Sequence, residues 1–292
     1  MSNTHNRQNH VSVNDDPKLS DLEMNKPDLT LDGAIPLFPL GPPRSGTTIV
    51  ARILNAHPRI LMTNETAVFL MLKDNIDKSR LGAQAGILYG KEHNELWANH
   101  LEQEARRLIE SYYEKIKQVE GKVALKYWGE KHPHHCNCLD FLTLLYPGAL
   151  FIQIIRDPRD TSCSIADMLQ VDFQEALIAW KIFADIYDEF FRNIESERFL
   201  TLYYEELVKD YVGVSRRIFK WLGLEYVEEV DQYLHGYKHI DAQHFDSPYA
   251  YRKDFAHESV GRWKQEITGS DCEFANDLVG EHLDRYGYPR NN

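Results

Sequence analysis

Between the apolar run Ile35 to Leu40 and the helically spaced Ile49, Val50, Ile53 and Leu54 lies a turn-rich loop, Gly41-Pro42-Pro43-Arg44-Ser45-Gly46-Thr47-Thr48. A buried strand, a glycine loop and a helix in that order commit the chain to a parallel α/β unit. They also aim backbone N–H groups and the positive end of a helix at a single point. An anion belongs there. The pattern Gly41-x-x-x-x-Gly46-Thr47-Thr48 is one residue from the Walker phosphate loop, with Thr47 where the triphosphate-binding lysine would stand.

The cation has moved back to Arg44, inside the loop. Loss of the lysine that reaches the β- and γ-phosphates argues against kinase or ATPase chemistry. A planar arginine fork suits a terminal phosphosulfate. The plainer alternative is a glycine turn that only shapes a strand-to-helix connection.

The rest of the chain repeats the alternation. The pattern predicts a helix over 65–72 and a long one over 95–118, with Leu96, Leu101, Ala105, Leu108, Ile109, Tyr112 and Ile116 on one face. Strands are expected at 123–127, 149–155 and 199–203, and helices at 138–146, up to Met168 after Asp160, and over 173–194. The fold class is therefore α/β, a parallel sheet flanked by helices. Residues 1–33 are polar and aperiodic and read as a flexible arm; 34–292 read as one domain. The stretches 74–94 and 237–258 carry no clear pattern, and a last helix is expected near 272–283.

Charge and cysteine content narrow the partners. The formal net charge is −12, against the basic face of a nucleic-acid binder. No basic segment leads into an apolar one at the N-terminus and no run approaches the ~20 residues of a membrane span, so a cytoplasmic protein is expected. Four cysteines make no disulfide scaffold. His132, His134, His135, Cys136 and Cys138 crowd one stretch, but their spacing matches no closed zinc pattern, and no metal is expected.

The loop 41–48 resembles the 5′-phosphosulfate loop of the sulfotransferases that use 3′-phosphoadenosine-5′-phosphosulfate (PAPS), above all the tyrosylprotein and related bacterial branch. The resemblance continues through Leu54-Asn-Ala-His57-Pro58, Asn64-Glu65-Thr66, Trp128-Gly-Glu-Lys131-His-Pro133, and Ile155-Arg156-Asp-Pro-Arg-Asp160 with Ser164. Tyr204-Glu-Glu-Leu207 and Ser259-Val-Gly-Arg262-Trp263 complete an ordered series over about 35–264. It implies a fold related to nucleotide kinases and transfer of a sulfuryl group from PAPS to a hydroxyl or amine, leaving adenosine 3′,5′-bisphosphate.

By that resemblance Arg44, Ser45, Gly46, Thr47 and Thr48 bind the 5′-phosphosulfate. Arg156 and Ser164 hold the 3′-phosphate, and Tyr204 and Arg262 contact the nucleotide. Lys131 stabilises charge on the leaving phosphate. Glu65 is the general base, with His134 its rival. For Arg156 the alternative is an ion pair with Asp157 or Asp160; for Glu65, a first-turn helix residue. Met168 departs from the tyrosylprotein pattern, which carries an arginine there, and the negative charge fits acidic peptides poorly. The acceptor class, whether small molecule, peptide, sugar or lipid, stays open, as does the oligomeric state. The other function classes are a P-loop phosphotransferase and a non-catalytic nucleotide-binding protein.

Overall fold

The computed structural model describes residues 31, 33–85, 91–236 and 259–290. Strand β1 (Ile35–Leu40) leads through the glycine loop into α1 (Thr47–Ala56), then β2 (Ile60–Asn64). Helices α2 (Val68–Ala85) and α3 (Lys91–Val119) follow, then β3 (Tyr127–Lys131), a 3₁₀ turn (Pro133–Asn137) and α4 (Leu139–Leu145). β4 (Leu150–Ile155), α5 (Pro158–Leu169), α6 (Phe173–Arg192) and β5 (Phe199–Tyr203) complete the central alternation. The remainder is helical: α7 (Tyr204–Lys209), α8 (Tyr211–Trp221), α9 (Glu228–Gly236), α10 (Trp263–Glu266) and α11 (Gly269–Tyr286).

The sheet has five parallel strands in the order β2-β3-β1-β4-β5. Alternation within β1 shows how it is covered. Phe38 and Leu40 face a core shared with Phe69, Ile109, Phe141 and Phe151, under α2, α3 and α4. Leu37 faces the opposite core, with Val50, Ile53, Ile152, Leu202 and Ile218, under α1 and α8. Complete burial of such side chains stabilises the fold by roughly 1.5–3 kcal/mol each. The chain first builds strands on one side of β1, then crosses to the other. The C-terminal edge of β1 is thus the switch point where open α/β sheets bind ligands.

Several expected elements shift, each for a physical reason. The strand expected at 123–127 is β3, four residues later. Val123 is 74% exposed and Ala124 has φ 50°, so the extended run begins only at Tyr127. Glu130 and Lys131 therefore lie in a fully buried strand. Gly129 is required there, because a Cβ would lie 1.9 Å from the Leu37 carbonyl oxygen of β1. The helix expected from Glu65 starts at Val68, because Glu65 and Ala67 are both left-handed, at φ 55° and 59°. On α3 the buried stripe runs through Ala98, Ala105, Ile109 and Tyr113; Leu96 (68%) and Leu108 (54%) face outward, contrary to the expected face. β2, α7, α8, α9 and α10 form where the sequence pattern indicates no element. Leu31, from the expected arm, is buried in the core; residues 1–30 and 237–258 lie outside the described residues.

Candidate active site

The strand registers bring the candidate residues together before any side chain is considered. β1 pairs with β3 as Pro36 with Trp128, and with β4 as Leu40 with Gln153. The loop after β1, the end of β3 and the segment after β4 therefore emerge side by side at one edge of the sheet.

The loop is built for an approach by backbone. Gly46 has φ 97° and precedes α1 with no side-chain cap over it. A Cβ at Gly46 would come within 2.6 Å of the Tyr204 ring, so only glycine fits. Thr47 is buried and Thr48 half-buried in the first turn. Ser45 is turned inward: its N–H (3.2 Å) and its hydroxyl (2.6 Å) both donate to the Pro42 carbonyl. Its side chain shapes the loop rather than facing an incoming anion.

Arg44 and Arg156 define the basic end. Arg44 Nε donates to Ser164 Oγ at 3.0 Å, joining the loop to α5. Arg156 is 5% exposed; its terminal nitrogens donate to the carbonyls of Arg44 and Ser259, each at 2.8 Å. Its guanidinium lies over the Tyr204 ring at 4.4 Å, and the Tyr204 hydroxyl pairs with Ser259 Oγ at 2.8 Å. Arg156 Nε is buried without a partner among the described residues. Burial, and next the neighbouring Arg156, push the pKa of Arg44 below its ordinary value. Two crowded cations, an unused buried N–H and an uncapped helix start form a basic cluster suited to an anionic ligand.

Arg156 forms no ion pair with the flanking aspartates, which have other tasks. Asp157 accepts from the Arg159 backbone N–H and binds its guanidinium through both oxygens, at 2.9, 3.0 and 2.8 Å. Asp160, 1% exposed, accepts from the N–H groups of Gly261 (2.7 Å) and Trp263 (3.0 Å). Arg159 stacks on Trp263 at 3.7 Å. The segment carrying Ser259 and Arg262 is thereby moored to α5. Arg262 is held by Asp167 (2.6 Å) and Glu266 (2.6 Å), near enough to Arg44 for its charge to be felt there.

Across the loop, Lys131 Nζ donates to Glu65 Oε1. The lysine side chain is 2% exposed, the carboxylate 45%. Burial pushes the Lys131 pKa down, and the Glu65 hydrogen bond opposes that shift. The pair thus has a buried ammonium and a solvent-facing carboxylate. His134 is exposed, its ring 5.4 Å from Phe183. The neighbouring His132 is the half-buried one; burial pushes its pKa down to about 4. Its Nδ1 accepts from the His134 N–H at 3.1 Å, which puts its proton on Nε2.

The rest of the His/Cys stretch is dispersed. His135 is fully buried against Glu130 (3.2 Å), and burial pushes the Cys136 thiol up to about 11. Among the described residues no group of His, Cys, Asp and Glu is arranged to hold a metal ion. Residues that sequence reasoning missed are Glu130, Arg159, Asp160 as an anchor, and Ser259. Their signal lies in the Gly-Glu-Lys, Arg-Asp-Pro-Arg-Asp and Ser-Val-Gly-Arg-Trp runs, but which partners they meet depends on the fold.

Comparison with known proteins identifies the family and the fold. The family model described as "Sulfotransferase family" matches residues 36–229. The chain is 28% identical to protein-tyrosine sulfotransferase A of Caenorhabditis elegans over 205 residues, 66% of this chain and 51% of that one. It therefore spans about half the length of that relative. Among solved structures, the sulfotransferase domain of the Synechococcus PCC 7002 olefin synthase superposes with a TM-score of 0.59 at 20% identity, covering 87% of this chain and 97% of that one. Mouse sulfotransferase SULT7A1 complexed with PAP gives 0.52 at 16% identity, covering 86% and 85%.

Proposed function

As a member of the sulfotransferase family, the chain has, we propose, the family's PAPS-dependent activity: it moves a sulfuryl group to a hydroxyl or amine of an acceptor and releases adenosine 3′,5′-bisphosphate. The observation that carries this reading is the buried Lys131 paired with the outward Glu65, set across the phosphate loop from the Arg44–Arg156–Ser164 cluster.

PAPS supplies an activated sulfuryl group on its 5′-phosphate. In the transfer an acceptor oxygen or nitrogen bonds to sulfur while the bond from sulfur to the bridging oxygen breaks. The acceptor proton goes to Glu65, and the electron pair goes to the bridging oxygen. Lys131 donates to that oxygen as negative charge develops, and its burial strengthens the contact. The N–H groups at the start of α1, with Arg44 and Thr47 and Thr48, hold the 5′ end. Arg156 and Ser164 hold the 3′-phosphate, and Tyr204, Ser259 and Arg262 close the side of the pocket. Glu65 is favoured over His134 as base because it contacts Lys131, whereas the His134 ring packs beside Phe183. The acceptor is not carried over from the tyrosine-directed relative: Met168 and the net charge of −12 disfavour an acidic peptide. All four cysteines are free thiols, in keeping with a reducing, cytoplasmic setting.

Screening hydroxyl and amine acceptors with labelled PAPS, and weighing products for a gain of one SO₃ group, tests the reading. Tighter binding of ATP than of adenosine 3′,5′-bisphosphate in calorimetry would overturn it.

A further inference from the structure

We propose that Glu130 is a positioning residue: it clamps the turn Glu65-Thr66-Ala67 from the opposite face of β3 and so fixes the carboxylate of Glu65 against Lys131. This rests on the reading of Glu65 as the base.

Successive side chains of a strand point to opposite faces of the sheet, so Glu130 and Lys131 diverge from the end of β3. The chain leaving β2 wraps over that end and is gripped on both sides. The Glu65 N–H donates to the Lys131 carbonyl at 2.9 Å, and the Glu65 carboxylate meets the Lys131 ammonium. On the other side, Glu130 Oε1 accepts from Thr66 Oγ1 at 2.6 Å and from the Ala67 N–H at 2.8 Å. Its second oxygen faces His135 Nε2 at 3.2 Å. His135 is fully buried, wedged edge-on against Phe38 (5.7 Å) and Phe69 (5.8 Å), so it backs the carboxylate rigidly.

The clamp is needed because the turn is not one that its residues adopt readily. Glu65 and Ala67 both lie at left-handed φ, a conformation that costs a non-glycine residue energy unless its surroundings hold it. Without those two hydrogen bonds the turn relaxes and the base leaves Lys131. Burial alone would push the Glu130 pKa up; the hydrogen bonds from His135, Thr66 and Ala67 outweigh it, and the net shift is down. An ionised carboxylate at 0% exposure has no other evident task here.

Both donors in the turn use the same oxygen, and this separates positioning from a general structural charge. Glu130→Gln can keep one carbonyl oxygen in the place of Oε1; Glu130→Met keeps bulk but has no oxygen, only a weakly accepting thioether. Glu130→Met is expected to lower kcat by roughly 10- to 100-fold with the KM for PAPS unchanged, the scale of a base displaced by about 1 Å. Glu130→Gln should stay within about 5-fold of the parent. The loss must not exceed that of Glu65→Gln, and in a Glu65→Gln background Glu130→Met should cost less than about 3-fold more. Independently of any acceptor, amide hydrogen exchange over 65–67 should quicken at least ~10-fold in Glu130→Met, with binding of adenosine 3′,5′-bisphosphate unaltered. Thr66→Val, a milder change should the methionine variant not fold, should lower kcat about 3- to 10-fold. Additive losses, a glutamine variant as impaired as the methionine variant, or unchanged exchange over 65–67 would overturn the clamp. Absence of turnover with every acceptor would refute the sulfotransferase reading instead, while the exchange experiment still decides the clamp.

Discussion

Replacing Arg156 by lysine separates a ligand contact from an architectural strut, because it keeps the charge and removes the fork. In the structure the two terminal nitrogens are committed to the carbonyls of Arg44 and Ser259, and the plane rests on Tyr204 at 4.4 Å. One ammonium can serve one of those carbonyls well. The other is left unsatisfied, at about 1–3 kcal/mol, and the contact with the ring weakens by about 0.5–2 kcal/mol. Stability should fall by roughly 1.5–5 kcal/mol on that account alone. Under the proposed assignment a 3′-phosphate takes donors not engaged in these bonds; of these, Nε is buried without a partner among the described residues. A charge-assisted hydrogen bond is worth about 1.5–3 kcal/mol, so loss of one such bond should weaken the 3′-phosphate contact by about 10- to 150-fold. The assay is calorimetric titration with adenosine 3′,5′-bisphosphate and with 5′-AMP, which differ by that phosphate alone. The bisphosphate should lose most of its advantage in the variant, while 5′-AMP weakens by less than about 3-fold. Equal loss for both ligands would mean that Arg156 only ties the phosphate loop to Ser259, and the assignment would fail.

Glu65→Gln should lower kcat by about 10²- to 10⁴-fold and leave bisphosphate affinity nearly unchanged in calorimetry; near-normal turnover would pass the role to His134. Lys131→Ala should cost about 10²- to 10³-fold in kcat and also weaken nucleotide binding. Because burial lowers the Lys131 pKa, rising pH removes its proton below the ordinary lysine range. An alkaline fall in kcat/KM for PAPS should therefore appear there and vanish in Lys131→Arg, as read from a pH–rate profile. Asp160→Ala removes both anchors of 261–263 and should destabilise the fold by roughly 2–4 kcal/mol in denaturant titration, with bisphosphate affinity falling as Arg262 and Ser259 lose their mooring.

The sheet was legible wherever a strand was simply apolar. β1 and β5 occupy the residues their patterns indicate, and β4 and α6 differ at their ends by a residue or two. It was illegible where a buried strand carries charge. Hydrophobicity points to Val123 to Tyr127, but that run is interrupted by a left-handed Ala124, and the true strand is Tyr-Trp-Gly-Glu-Lys. Glu130 and Lys131 can be buried there only because each meets a partner from the β2–α2 turn, a contact 63 to 66 positions away in sequence. No local window contains that information. The same turn delays α2 by three residues, since a helix cannot begin while Glu65 and Ala67 hold left-handed φ.

For the site, sequence order names the candidate residues, and the fold shows which of them touch and how they depend on one another. The Arg-Asp-Pro-Arg-Asp run reads as one motif, yet it divides into three tasks. Arg156 joins the phosphate loop to Ser259, Asp157 braces Arg159 beneath Trp263, and Asp160 moors the backbone of 261–263. Such division follows from the passage of strand into helix: Arg156 and Asp157 lie in the turn before α5, while Arg159 and Asp160 point in different directions from its first turn, so a compact run serves several surfaces at once. The ends of β3 and β4 behave alike in this respect. Each turns consecutive charged residues to different neighbours, and each thereby tethers a segment distant in sequence to the edge of the sheet where the phosphate loop opens. A substitution in either run should accordingly be judged by the segment it releases, not only by the charge it removes.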